Sequence, residues 1–125
     1  MRIESVTAQA VPDTRGLPTV ETTLVSGAFS ATASVPSGKS TGAHEALELR
    51  DADGGVTRAI ENVTGEIASA LADFDFASPD EVDAFLIELD GTPNKSRLGA
   101  NAILSVSIAA QRLFATASGM PLWRS

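Results

Sequence analysis

Residues 78 to 91 read Ser78-Pro-Asp-Glu-Val-Asp-Ala-Phe-Leu-Ile-Glu-Leu-Asp-Gly91, and whether they form a helix or a strand decides the fold. Taken alone, Phe85-Leu-Ile-Glu-Leu-Asp90 has the look of a buried strand ending in an acid. The residues before it argue otherwise. Ser78 suits an N-cap, Pro79 the first helical position, and Glu81 the third position of a capping box. Val82, Phe85, Leu86 and Leu89 then recur at helical spacing, and Gly91 is placed to stop the helix. The segment is expected to be a helix.

Working outward, the same period appears on both sides. Ile60, Val63, Ile67 and Leu71 share a helical face, with Glu61 and Glu66 turned away. A last helix is expected from about Leu98 to Ser118, ended by Gly119 and Pro121. Its middle, Ala102 to Ala110, is apolar or small on every side, so it is expected to be covered all round. Further upstream the period drops to two. Phe29, Ala31, Ala33 and Val35 share one face against Ser30, Thr32 and Ser34. Val20, Thr22 and Leu24 alternate with Glu21 and Thr23, and residues 3 to 11 are rich in β-branched types. Pro12, Asp13, Gly16 and Pro18 mark a turn between the first two strands, and Ser26-Gly27 marks the next. Three strands on short connections make an antiparallel meander. With the helices following as a layer on one face of the sheet, the fold class is α+β.

Between strands and helices lies Val35-Pro-Ser-Gly-Lys-Ser-Thr-Gly-Ala-His-Glu-Ala-Leu-Glu-Leu-Arg-Asp51. Gly38 and Gly42 let the backbone approach a ligand closely. The hydroxyls of Ser37, Ser40 and Thr41 are hard oxygen donors suited to a cation such as Mg²⁺. Lys39 brings a positive charge suited to an anionic substrate. The bland alternative is a surface connection with no ligand. Two sharper readings compete. Residues 33 to 40 fit a relaxed nucleotide-binding P-loop, although Ala33 stands where its first glycine belongs. That fold also needs strands and helices in alternation, which this chain lacks. The second reading is a lid of the form Ser-Gly-x-Ser-Thr-Gly, which brings in the rest of the chain.

Size and composition set outer limits. The 125 residues suffice for one domain with an ordinary core, and 43% hydrophobic with 20% charged residues is a globular balance. A net charge of −7 argues against nucleic acid and anionic membrane surfaces as partners. No cysteine is present, so disulfides and thiolate metal sites are unavailable, and a cytoplasmic location is expected. Met1-Arg-Ile-Glu-Ser-Val6 lacks the charged-then-apolar run of a signal peptide. The most apolar stretch, Ala102 to Ala117, is shorter than the ~20 residues of a membrane span and contains Gln111 and Arg112.

Several motifs together resemble the N-terminal domain of enolase, the glycolytic enzyme that dehydrates 2-phosphoglycerate to phosphoenolpyruvate. Leu89-Asp-Gly-Thr-Pro-Asn-Lys-Ser-Arg-Leu-Gly-Ala-Asn-Ala-Ile-Leu-Ser-Val-Ser-Ile-Ala109 resembles the segment leading into that domain's last helix. Asp13-Thr-Arg-Gly-Leu-Pro-Thr-Val-Glu21 resembles its first turn. Val35 to Gly42 with Glu45-Ala-Leu-Glu-Leu-Arg-Asp51 resembles the lid and the segment after it. Ala59-Ile-Glu-Asn-Val63 and Gly119-Met-Pro-Leu-Trp-Arg124 fit as well, in the family's order across essentially the whole chain.

The resemblance implies three antiparallel strands followed by helices, and a chain that is one part of an enzyme. In that family the catalytic groups and the carboxylates for Mg²⁺ stand on a barrel domain, so no catalytic residue is expected here. Ser40 matches the serine that completes the second Mg²⁺ shell when the lid closes. Ser37, Gly38, Thr41 and Gly42 match the rest of the lid, with Lys39 inside it. His44, the sole histidine, lies beside the lid and is expected to be a structural hydrogen-bonder. Arg15 and Glu21 match residues at or near the family's homodimer interface. The implied partners are the barrel domain, the substrate pair and a second copy. The alternative, from another class, is a non-catalytic interaction module derived from the same fold. It rests on the absence of every barrel residue together with the altered lid, and four departures count against full function: Leu17 for the usual asparagine, Lys39 for a small residue, Gln9 for a frequent arginine, and a shortened segment at residues 53–57. The acids Asp51, Asp53, Asp80 and Glu81 have no acid/base partner in the pattern, and capping or solvation is expected to explain them.

Overall fold

Strand β1 (Ser5–Pro12), β2 (Pro18–Ser26) and β3 (Phe29–Ser34) form one antiparallel sheet in the order β1-β2-β3. The computed structural model describes residues 1–12, 16–35, 51–52, 55–91 and 97–118. Among the described residues four helices follow, α1 (Thr57–Asn62), α2 (Ala68–Leu71), α3 (Pro79–Asp90) and α4 (Ala100–Ser118). A π-helical stretch, Val63–Ile67, joins α1 to α2. The α+β order is therefore as the two periods imply.

The register explains the layering. Val6 pairs with Leu24, Ala8 with Thr22, and Thr22 with Ala33, all on the face that meets the helices. Thr7 pairs with Thr23, Gln9 with Glu21, and Thr23 with Thr32 on the other face, which is polar. Helix α4 lies across β2 and β3, the α1-to-α2 stretch packs against β1, and α3 packs on α4. Residues Val20, Leu24, Val63, Ile67, Leu86, Val106 and Leu113 have no solvent exposure and form the core between the layers. One polar pair is sealed inside it. The Ser105 hydroxyl donates to the Ala102 carbonyl at 2.9 Å, so its oxygen accepts the Thr22 hydroxyl at 2.7 Å. This pins α4 to the central strand.

Helix α3 is built as the cap predicts. Ser78 is extended at φ −155°, its hydroxyl accepts from the Glu81 amide, and Pro79 opens the first turn. Such a cap contributes about 1 kcal/mol. Glu81 reaches back to the Ala77 amide at 2.7 Å, one residue earlier than the usual capping-box partner. At the far end Gly91 takes φ 73°, a conformation glycine adopts at least cost, and its amide donates to Ile87.

Four details differ from the sequence reading. The fully buried row of the second helical stretch is Ala59, Val63, Ile67 and Leu71, while Ile60 sits half-buried at the core's edge. Phe29, at the mouth of the β2–β3 turn, is exposed although it shares its strand's inward face. Within α4, Leu104, Ser107 and Ile108 are half-buried, so the helix is covered on most sides rather than all. It starts at Ala100, two residues after the expected Leu98. Gly119 and Pro121 lie outside the described residues.

Candidate functional site

The candidate lid residues Ser37, Gly38, Lys39, Ser40, Thr41, Gly42 and His44 lie outside the described residues, as does Arg15. The structure does show the described residues on either side of that segment. On one side Val35 follows β3, its amide donating to Val20 at 3.1 Å and its carbonyl accepting the Thr19 hydroxyl at 3.2 Å. Val35 and Thr19 are both buried, so this anchor belongs to the core. On the other side Asp51 accepts the Thr57 amide at 2.8 Å and the Arg58 amide at 3.2 Å. These are orphan donors of the first turn of α1. The Thr57 amide, ahead of all other influences, holds the Asp51 carboxyl below its ordinary pKa. Asp51 is thus a capping acid, as expected, and so is Glu81; Asp53 lies outside the described residues.

Glu21 stands on the polar outer face of β2. Its carboxylate accepts from the Gln9 side-chain amide directly across the ladder at 2.7 Å. A shallow hollow of about 240 Å³ lies over this pair, lined by Thr7, Ala8, Gln9, Glu21 and Thr23. The glutamine that stands in place of a frequent arginine is uncharged and makes its bond to the carboxylate within its own chain. Among the described residues no group of three His, Cys, Asp or Glu side chains could hold a metal ion. Among them, too, no helix is long and apolar enough to cross a membrane.

A second cluster escaped the sequence reading. Arg97 grips Glu66 with two nitrogens, at 2.9 and 2.7 Å, and also donates to the carbonyls of Leu89 and Asp90 at the end of α3. Asp90, only 2% exposed, accepts the buried Leu98 amide at 2.7 Å. Asn62 donates to the Leu98 carbonyl at 3.0 Å. The two ends of the connection between α3 and α4 are thereby tied to each other and to the π-helical stretch. One signal for this was present. An acid in the last turn of a helix opposes the helix dipole and needs donors from elsewhere.

The Arg97 guanidinium, through its hydrogen bonds and then its charge, holds the Glu66 carboxyl below the ordinary range. A lowered folded pKa means a contribution present above the unfolded pKa and lost as pH falls through the folded one. Both side chains are more than 40% exposed, so solvent screens the pair and the effect is modest. Arg97→Met is expected to shrink the gap in denaturation midpoint between pH 7 and pH 3. An unchanged gap would remove Glu66 from the acid sensitivity of the fold.

With this geometry in place, the comparison with known families is specific. The sequence matches the family described as "Enolase, N-terminal domain" over residues 3–125.

Proposed function

The chain belongs to the enolase N-terminal domain family, and we propose that it serves as the lid domain of an enolase-type enzyme converting 2-phosphoglycerate to phosphoenolpyruvate. A full enzyme of this family pairs such a domain with a catalytic domain, here a barrel that carries the acid/base groups. The observation that carries the reading is the family match, which spans the motif Ser37-Gly-Lys-Ser-Thr-Gly42.

In this reading residues 37–42 close over the substrate. Closure excludes water and completes the site. The hydroxyl of Ser40 is a hard oxygen donor, and this donor type fits Mg²⁺. Bound Mg²⁺ would supply positive charge against the negative charge that develops on the substrate as its proton leaves. Lys39 brings a positive charge to the lid, which favours the approach of a phosphorylated acid. Gly38 and Gly42 allow close backbone approach. Val35 and Asp51, the described residues on either side of the segment, bond to β2 and to the start of α1, which suits a closure confined to the residues between them. The role of His44 in this reading is a hydrogen bond that shapes the segment. The reading extends to a cytoplasmic homodimer that uses the surface near Arg15 and Glu21.

The test is Ser40→Ala in the assembled enzyme. Losing even a supporting group at a metal site typically costs about 10- to 100-fold in metal affinity or activity. A loss of at least that order is expected in turnover, with a higher Mg²⁺ concentration needed for half-maximal rate. An unchanged Mg²⁺ dependence would remove Ser40 from the metal shell.

A further inference from the structure

We draw no further inference here: the strongest candidate, the apolar hollow between Phe74, Phe85, Glu88 and Leu89 on the surface beside α3, carries nothing, because nothing in the structure shows what covers it.

Discussion

Leu24→Ala is expected to lower the free energy of unfolding by about 3 kcal/mol, the middle of the range for buried leucines. Leu24 has no solvent exposure and sits on the central strand, paired with Val6 on one side and Ala31 on the other. Helix α4 closes it from above. Its neighbours are held by two ladders and by the Thr22–Ser105 bond, so they collapse poorly into the space left. In a domain of this size about 4 °C accompanies each kcal/mol, so the melting temperature should fall by about 12 °C. Val25, one residue on, points to the outer face, and Val25→Ala is expected to cost about 1 kcal/mol or less. Equal losses in thermal melts of the two variants would contradict the assigned register.

Asp90→Ala comes second, at up to about 3 kcal/mol. Two effects oppose each other. Removing a buried carboxylate relieves its desolvation, which favours the variant. It also leaves the Leu98 amide, on a residue 1% exposed, without its 2.7 Å acceptor. An orphaned buried donor costs about 1 to 3 kcal/mol. The second effect wins because the site has polar neighbours already: Arg97 stands beside Asp90, and Asn62 holds the Leu98 carbonyl. Asp90→Asn keeps an acceptor oxygen without the charge and should recover a good part of the loss. Chemical denaturation of both variants checks this. A loss from Asp90→Asn as large as that from Asp90→Ala would show that the charge, not the hydrogen bond, is what the fold uses.

The layer order was legible because two periods are written plainly into the chain. Alternation through Val20 to Leu24 and Ala31 to Val35 survives in the register, since a one-residue slip would turn Leu24 outward. Helix α3 was legible from Ser78, Pro79 and Gly91, each of which acts through local backbone geometry. The second helical stretch was legible only in part. Steps of four residues from Ala59 to Leu71 run ahead of a 3.6-residue turn, and the wider π turn at Val63–Ile67 sets them back in line. Gly65 and the Thr64 hydroxyl, which donates to the Ile60 carbonyl at 3.1 Å, both loosen the helix there. A uniform helical projection therefore put Ile60 in the row that Ala59 occupies.

The candidate site divides along a similar line. The candidate lid was readable only as a motif, because hydroxyls, glycines and a lysine close together carry their chemistry locally, and its residues lie outside the described ones. The support around it was not. Thr19 reaches Val35 across the sheet, and Glu66 meets Arg97 from a residue 31 positions away. Such bonds follow from how elements pack, which no short pattern records. Asp51 was the exception in kind, since its bond to the start of α1 spans only six positions and capping was one of its two expected roles, beside solvation.

The central claim is that this chain completes an enolase-type catalyst without carrying its catalytic residues. The most direct measurement mixes it with a barrel fragment from an enolase, adds 2-phosphoglycerate and Mg²⁺, and follows phosphoenolpyruvate by absorbance. Chain and fragment are first assayed separately. Product is expected from the mixture and from neither part alone. Product from the chain by itself, or none from a mixture in which the two parts are shown to associate, would contradict the claim.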